Sequence, residues 1–149
     1  MIRAVLDTNV FISALFNPER PPAQILELAL QGKIKLIISP QLLGEIERAL
    51  TSPKIKKLLK KRQMAPGEIG ADIAKILKIT VITPGILIMG AVPDDPADCM
   101  VLPCAQEGQA DFIVSGDHHL LDLDTYQGTK IVSSAEFLQI MGRELSNHF

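Results

Sequence analysis

Apolar positions along the chain fall into two alternating kinds. Short apolar runs recur at Ile2–Leu6, Lys35–Ile38, Ile79–Ile82, Phe112–Val114 and Lys130–Val132. They show no polar alternation, so they read as strands buried on both faces. Ile86–Val92 reads as a further short strand. Between these runs the apolar residues recur at helical spacing. Asn9–Phe16 reads as a helix ending near Asn17-Pro18. Pro21-Pro22 opens the next, with Ile25, Leu26, Leu28, Ala29 and Leu30 on one broad face and Gly32 as its stop. Ser39-Pro40 is a capping serine followed by proline at the first helical position, and Leu42, Leu43, Ile46 and Leu50 form the stripe behind it. Pro53–Arg62, Pro66–Leu77 and Pro96–Glu107 read as three more helices, the last stopped by Gly108. Ser133-Ser134-Ala135-Glu136 has capping-box spacing for a terminal helix. Strands alternating with helices predict an α/β fold with a mainly parallel sheet.

Composition narrows the class. A chain of 149 residues, 47% hydrophobic and 21% charged, suits one domain over 1–149 and excludes wholesale disorder. No Gly-X-Y or heptad pattern supports a rod, and no apolar run reaches the roughly 18 residues that span a bilayer. Asp7 and Asn9 interrupt the apolar N-terminal stretch, which is therefore not expected to be a signal peptide. The two cysteines, Cys99 and Cys104, would point apart on a helix and do not make a zinc pattern. A reduced, cytoplasmic setting is expected.

The formal charge of −2 conceals a segregation. Residues 51–90 carry eight basic and two acidic side chains, whereas residues 91–149 carry two basic and ten acidic ones. The basic excess is concentrated in Lys54, Lys56, Lys57, Lys60, Lys61 and Arg62. A solvated helix is one reading of that run. The other is a track for RNA phosphates in which Lys54, Lys57 and Lys61 share a face, without aromatic residues for base stacking.

Four acids fall where ligands bind in such a sheet, beyond the carboxyl ends of the strands. Asp7 closes the first strand, and Asp117 follows Phe112–Val114 behind Ser115-Gly116. Asp98 lies in the first turn of the helix opened by Pro96, and Glu45 lies about two turns into the Ser39-capped helix. Converging carboxylates repel, so such a cluster calls for a cation. Oxygen ligands without Cys or His spacing favour Mg²⁺ or Mn²⁺, one or two ions. Such sites polarise a phosphoryl oxygen and lower the pKa of bound water, which suits phosphodiester hydrolysis.

These strings carry a resemblance. Val5-Leu6-Asp7-Thr8-Asn9-Val10 resembles the opening signature of the PIN-domain family, and more narrowly the toxin ribonucleases of prokaryotic toxin–antitoxin systems. Ser39-Pro40-Gln41-Leu42-Leu43-Gly44-Glu45 resembles the second motif, Asp95-Pro96-Ala97-Asp98 the third, and Val114-Ser115-Gly116-Asp117 the fourth. The resemblance implies a three-layer α/β/α fold. It also implies Mg²⁺- or Mn²⁺-dependent RNA cleavage with Asp7, Glu45, Asp98 and Asp117 as catalytic metal ligands. An antitoxin partner and a homodimer are implied as well, and the lack of a spanning apolar run predicts no membrane association. Pro103 departs from the pattern and should kink the third-motif helix. His119 stands where many relatives carry another acid.

Alternatives stand beside these assignments. Asp7 would otherwise be a turn residue, Asp98 a helix-dipole acid and Asp117 a helix cap. Glu47 competes with Glu45 but lies away from the apolar stripe, and Asp94 and Asp95 compete with Asp98. Thr8 and Asn9 are expected to cap the next helix and position Asp7, and Ser115 to bond Asp7 or the substrate. His118-His119 reads as a solvated turn, and Asp122 and Asp124 as turn residues. A non-catalytic RNA- or partner-binding module on the same fold is the main alternative function. A phosphatase with Asp7 as nucleophile is disfavoured, because the second Asp it wants is Asn9 here.

Overall fold

The computed structural model describes residues 1–86 and 100–146. Strand β1 (Arg3–Leu6) leads through helices α1 (Thr8–Phe16) and α2 (Pro21–Leu30) to β2 (Lys35–Ile38). Helices α3 (Pro40–Leu50), α4 (Pro53–Lys61) and α5 (Pro66–Lys78) precede the short β3 (Val81–Ile82). Helix α6 (Val101–Gly108), β4 (Phe112–Val114), α7 (His118–Leu123), β5 (Thr125–Tyr126), β6 (Thr129–Val132) and α8 (Ser134–Ser146) follow. The strands form a sheet of order β3-β2-β1-β4-β6-β5, flanked by helices as the sequence predicts. All pairings are parallel except β5 with β6.

The apolar runs are the core. Val5, Leu6, Ile37, Ile38, Ile113, Val114, Ile131 and Val132 are buried, which is why their sequence shows no alternation. Phe137 of α8 meets Phe112 of β4 edge-to-face at 5.5 Å. Helix α6 packs on β1, β2 and β4, and its end needs glycine. A Cβ on Gly108 would lie 2.3 Å from Ile37 Cγ2. Phe16, Ile55 and Ile69 form a second, smaller cluster beneath α4 and α5.

Start signals read from sequence act as expected. Ser39 accepts the Leu42 amide at 3.1 Å and Ser133 accepts the Glu136 amide at 3.2 Å, each cap worth about 1 kcal/mol. Several expectations need correction. Pro103 is the third residue of α6, and the residues before Met100 that would show the expected kink lie outside the described residues. The hairpin strand β5 was not expected. It forms because Gln127 and Gly128 both take positive φ (50° and 83°), as a two-residue hairpin turn requires. Arg62 lies beyond α4, and its guanidinium donates to the Phe16 carbonyl and, at 3.2 Å, to Asn17 Oδ1. It thus satisfies the C-terminus of α1 and is not part of a free basic face. The strand expected over 86–92, apart from Ile86, lies outside the described residues, as do Cys99 and residues 96–99 of the third-motif helix. Cys104 is buried, and that burial pushes its thiol up to about 12, so it stays protonated.

Candidate active site

Sheet order places the site. Chain connections leave β1 toward β2 on one side and reach β4 on the other, so β1 and β4 flank a topological switch point. A crevice opens there at the carboxyl ends of the strands. Register then decides which residues meet. Leu6 lies opposite Val114, so the next residues, Asp7 and Ser115, emerge side by side. The Asp7 amide continues the ladder to the Val114 carbonyl at 3.1 Å, and the Ser115 amide bonds the Val132 carbonyl at 3.0 Å.

Asp7 is fixed at both carboxylate oxygens. Oδ1 accepts the Val10 amide at 2.9 Å, making Asp7 itself the N-cap of α1. Oδ2 accepts the Ser115 hydroxyl. This corrects the expectation for Thr8 and Asn9: they are the first residues of α1, not its cap. Ser115 is fully buried and does a second job unforeseen in the sequence, because its hydroxyl accepts the Asp117 amide at 3.0 Å. One hydroxyl therefore ties two acidic residues together. Asp117 also caps α7 through the His119 amide at 2.7 Å, so its capping and site readings coexist.

Asp7, Thr8, Asn9, Glu45 and Asp117 line one cleft with Leu42, Val101 and Leu120 as its apolar wall. The cleft encloses about 370 Å³, part of it open to solvent. Glu45 is half-buried and turned inward, whereas Glu47 is exposed. The apolar wall residues belong to the core stripes of their own helices, which is why they carried no separate signal. His118 and His119 are exposed and do not line the cleft, but they open helix α7 where a turn was expected. Asp122 is exposed within α7 and Asp124 takes a positive φ after it. Asp94, Asp95 and Asp98 lie outside the described residues. Lys54, Lys57 and Lys61 are exposed along α4 and are not part of the cleft wall.

The electrostatics are those of uncompensated negative charge. Burial raises the Asp7 carboxyl above the usual carboxylate range, and the nearby Asp117 charge adds to this, while the Ser115 and Val10 bonds oppose it. Burial also raises Glu45, with Asp7 adding to it, against the Thr8 side chain and Arg48. Among the described residues no cation lines the cleft.

A PIN domain family model matches residues 3–119. The chain belongs to the PIN domain family. It is 34% identical to an uncharacterized protein of Methanocaldococcus jannaschii over 128 residues, covering 82% of this chain and 75% of that protein. Its fold is similar to the crystal structure of VapBC2 from Rickettsia felis bound to a DNA fragment from their promoter. There the TM-score is 0.53 at 16% identity, over 87% of this chain and 97% of that one.

PIN domains typically use divalent metal ions, and the donor set suits a hard cation. It offers carboxylate oxygens, with Asp7 raised by burial and the Asp117 charge, and Glu45 by burial and the Asp7 charge. Among the described residues no three His, Cys, Asp or Glu side chains form a group that could hold an ion by itself. Mg²⁺ is commonly held by one or two carboxylates with several waters, a set that Asp7 with a neighbouring acid would supply.

Proposed function

We propose that this single PIN-like domain is a metal-dependent endoribonuclease that acts as the toxin of a type II toxin–antitoxin system in the cytoplasm. The observation that carries this reading is the convergence of Asp7, Glu45 and Asp117 on one cleft at the sheet's switch point, with no cation among its described lining residues. Asp7, Glu45, Asp98 and Asp117 would hold one or two Mg²⁺ or Mn²⁺ ions. A bound ion supplies electrophilic stabilisation of the phosphate and a water of lowered pKa.

The chain's own residues prepare that chemistry. Ser115 and the Val10 amide orient the Asp7 carboxylate, so its free lone pairs face the cleft. Ser115 also fixes the backbone from which Asp117 projects. Leu42, Val101 and Leu120 exclude water from one side and raise the value of each charge interaction. Thr8 and Asn9 border the cleft, where a substrate phosphate or ribose would pass.

Belonging to the PIN family supports the nuclease reading. The similarity of fold to VapBC2 supports a partnered protein, with an antitoxin and a homodimer as proposed assemblies. RNA cleavage with Mn²⁺, with EDTA and with Asp7→Asn tests the enzyme reading. Cleavage undiminished by both EDTA and the substitution would overturn it. A non-catalytic RNA- or partner-binding module is the second reading. It predicts RNA binding without metal-dependent cleavage.

A further inference from the structure

An acidic cleft repels a polyanion, so a ribonuclease of this design needs a cation at its mouth to admit the chain. Arg48 is the candidate for that role. It lies on α3 three residues after Glu45, and positions i and i+3 share a helix face. Its side chain folds back toward the helix N-terminus. Nη1 lies 3.8 Å from where a Gly44 Cβ would be, one turn back along α3. Arg48 is exposed and, among the described residues, forms no ion pair. Its charge acts on Glu45, which lines the cleft. Other described cations have other places. Arg62 is tied to the end of α1, Lys130 is paired with Glu136 at 3.9 Å, and Arg3 bonds the Gly108 carbonyl at 2.9 Å.

We propose that Arg48 is a phosphate-contacting residue at the rim of the cleft, binding the RNA backbone beside the phosphate to be cleaved. A guanidinium presents a planar fork of donors that matches two phosphate oxygens, and it is more weakly hydrated than an ammonium. This inference rests on the RNA-processing reading above and adds the residue that brings the substrate's charge to the acidic site.

The test pairs steady-state cleavage in Mn²⁺ with binding of a fluorescent single-stranded oligoribonucleotide in Ca²⁺, across a salt series. Arg48→Ala is expected to raise KM and Kd about tenfold with kcat changed less than about threefold. The slope of log affinity against log salt should fall by about 0.7, one single-strand phosphate contact. Arg48→Lys, which keeps the charge and loses the fork, should recover only part of the affinity. Full rescue by lysine, with a shifted pH profile for kcat and an unchanged KM, would mean that Arg48 acts only on Glu45 and would overturn the proposal. Unchanged KM, Kd and salt slope in Arg48→Ala would overturn it too, and leave the ribonuclease reading intact. Weakened binding by Arg48→Ala in a protein that does not cleave RNA would support Arg48 and sink the enzyme. A wild-type chain that does not bind the oligoribonucleotide removes both.

Discussion

The cleft and helix α4 are opposite solutions to carrying charge. In the cleft, Asp7 and Glu45 are partly withdrawn from water, face like charge and are raised by burial. Along α4, Lys54, Lys57, Lys60 and Lys61 stand in solvent, and only Ile55 of that helix is buried. Charge in the cleft costs folding energy and is held in place by neighbours with few alternatives. Charge on α4 is fully hydrated, costs little and fixes nothing. Activity and stability should therefore respond in opposite senses in the cleft, while on α4 stability should barely respond.

The largest expected effect is on catalysis. Asp7→Asn keeps an oxygen for the Val10 cap but removes the charge, and should lower Mn²⁺-dependent cleavage by about a thousandfold. Single-turnover cleavage within tenfold of wild type would break the contrast at its centre. Ser115→Ala should follow at about tenfold to a hundredfold, because it frees both Asp7 Oδ2 and the Asp117 amide. Here a kcat loss with little change in KM is the expected signature.

Stability should move the other way. Because the folded-state pKa of Asp7 is raised, its stability contribution is present below the unfolded value and is lost as pH rises through the folded one. Asp7→Asn should therefore melt higher than wild type in EDTA near neutral pH, with the gap closing toward pH 4. Thermal melts at both pH values check this, and a lower midpoint for the variant at neutral pH would contradict it. Metal should reverse the sign for wild type, since ions bind the deprotonated carboxylates and the metal-bound form resists unfolding.

The smallest stability effect belongs to α4. Replacing Lys54, Lys57 and Lys61 together by alanine should change unfolding free energy by only about 0.5 kcal/mol. The same variant should weaken RNA binding and flatten its salt dependence by up to about 2 in slope, if all three touch phosphate. An unchanged salt slope would assign these lysines to solvation alone.

Much of this was legible in the chain itself. Strand runs and helix starts were readable because burial on both faces erases polar alternation, and because Ser39 and Ser133 cap through local bonds. Glu45 was separable from Glu47 by its place beside the apolar stripe, and it is Glu45 that lines the cleft. The β5–β6 hairpin was missed because Gln127 carries a positive φ that its type rarely signals. The role of Arg62 was hidden inside a basic run, since a partner forty-six residues earlier in the chain leaves no local trace.

What the sequence determined by itself is local: which segments are strand or helix, where helices begin, and which residue types could serve a metal-dependent reaction. Those features depend on a few neighbouring residues, and so does the family signature around Asp7. Tertiary structure decided what stands next to what. Placing β4 beside β1 in its register set Ser115 against Asp7, and that contact joins residues 108 positions apart. Burial of that junction is what raises the carboxyl, and desolvation is a property of the assembled core, not of any residue in the string.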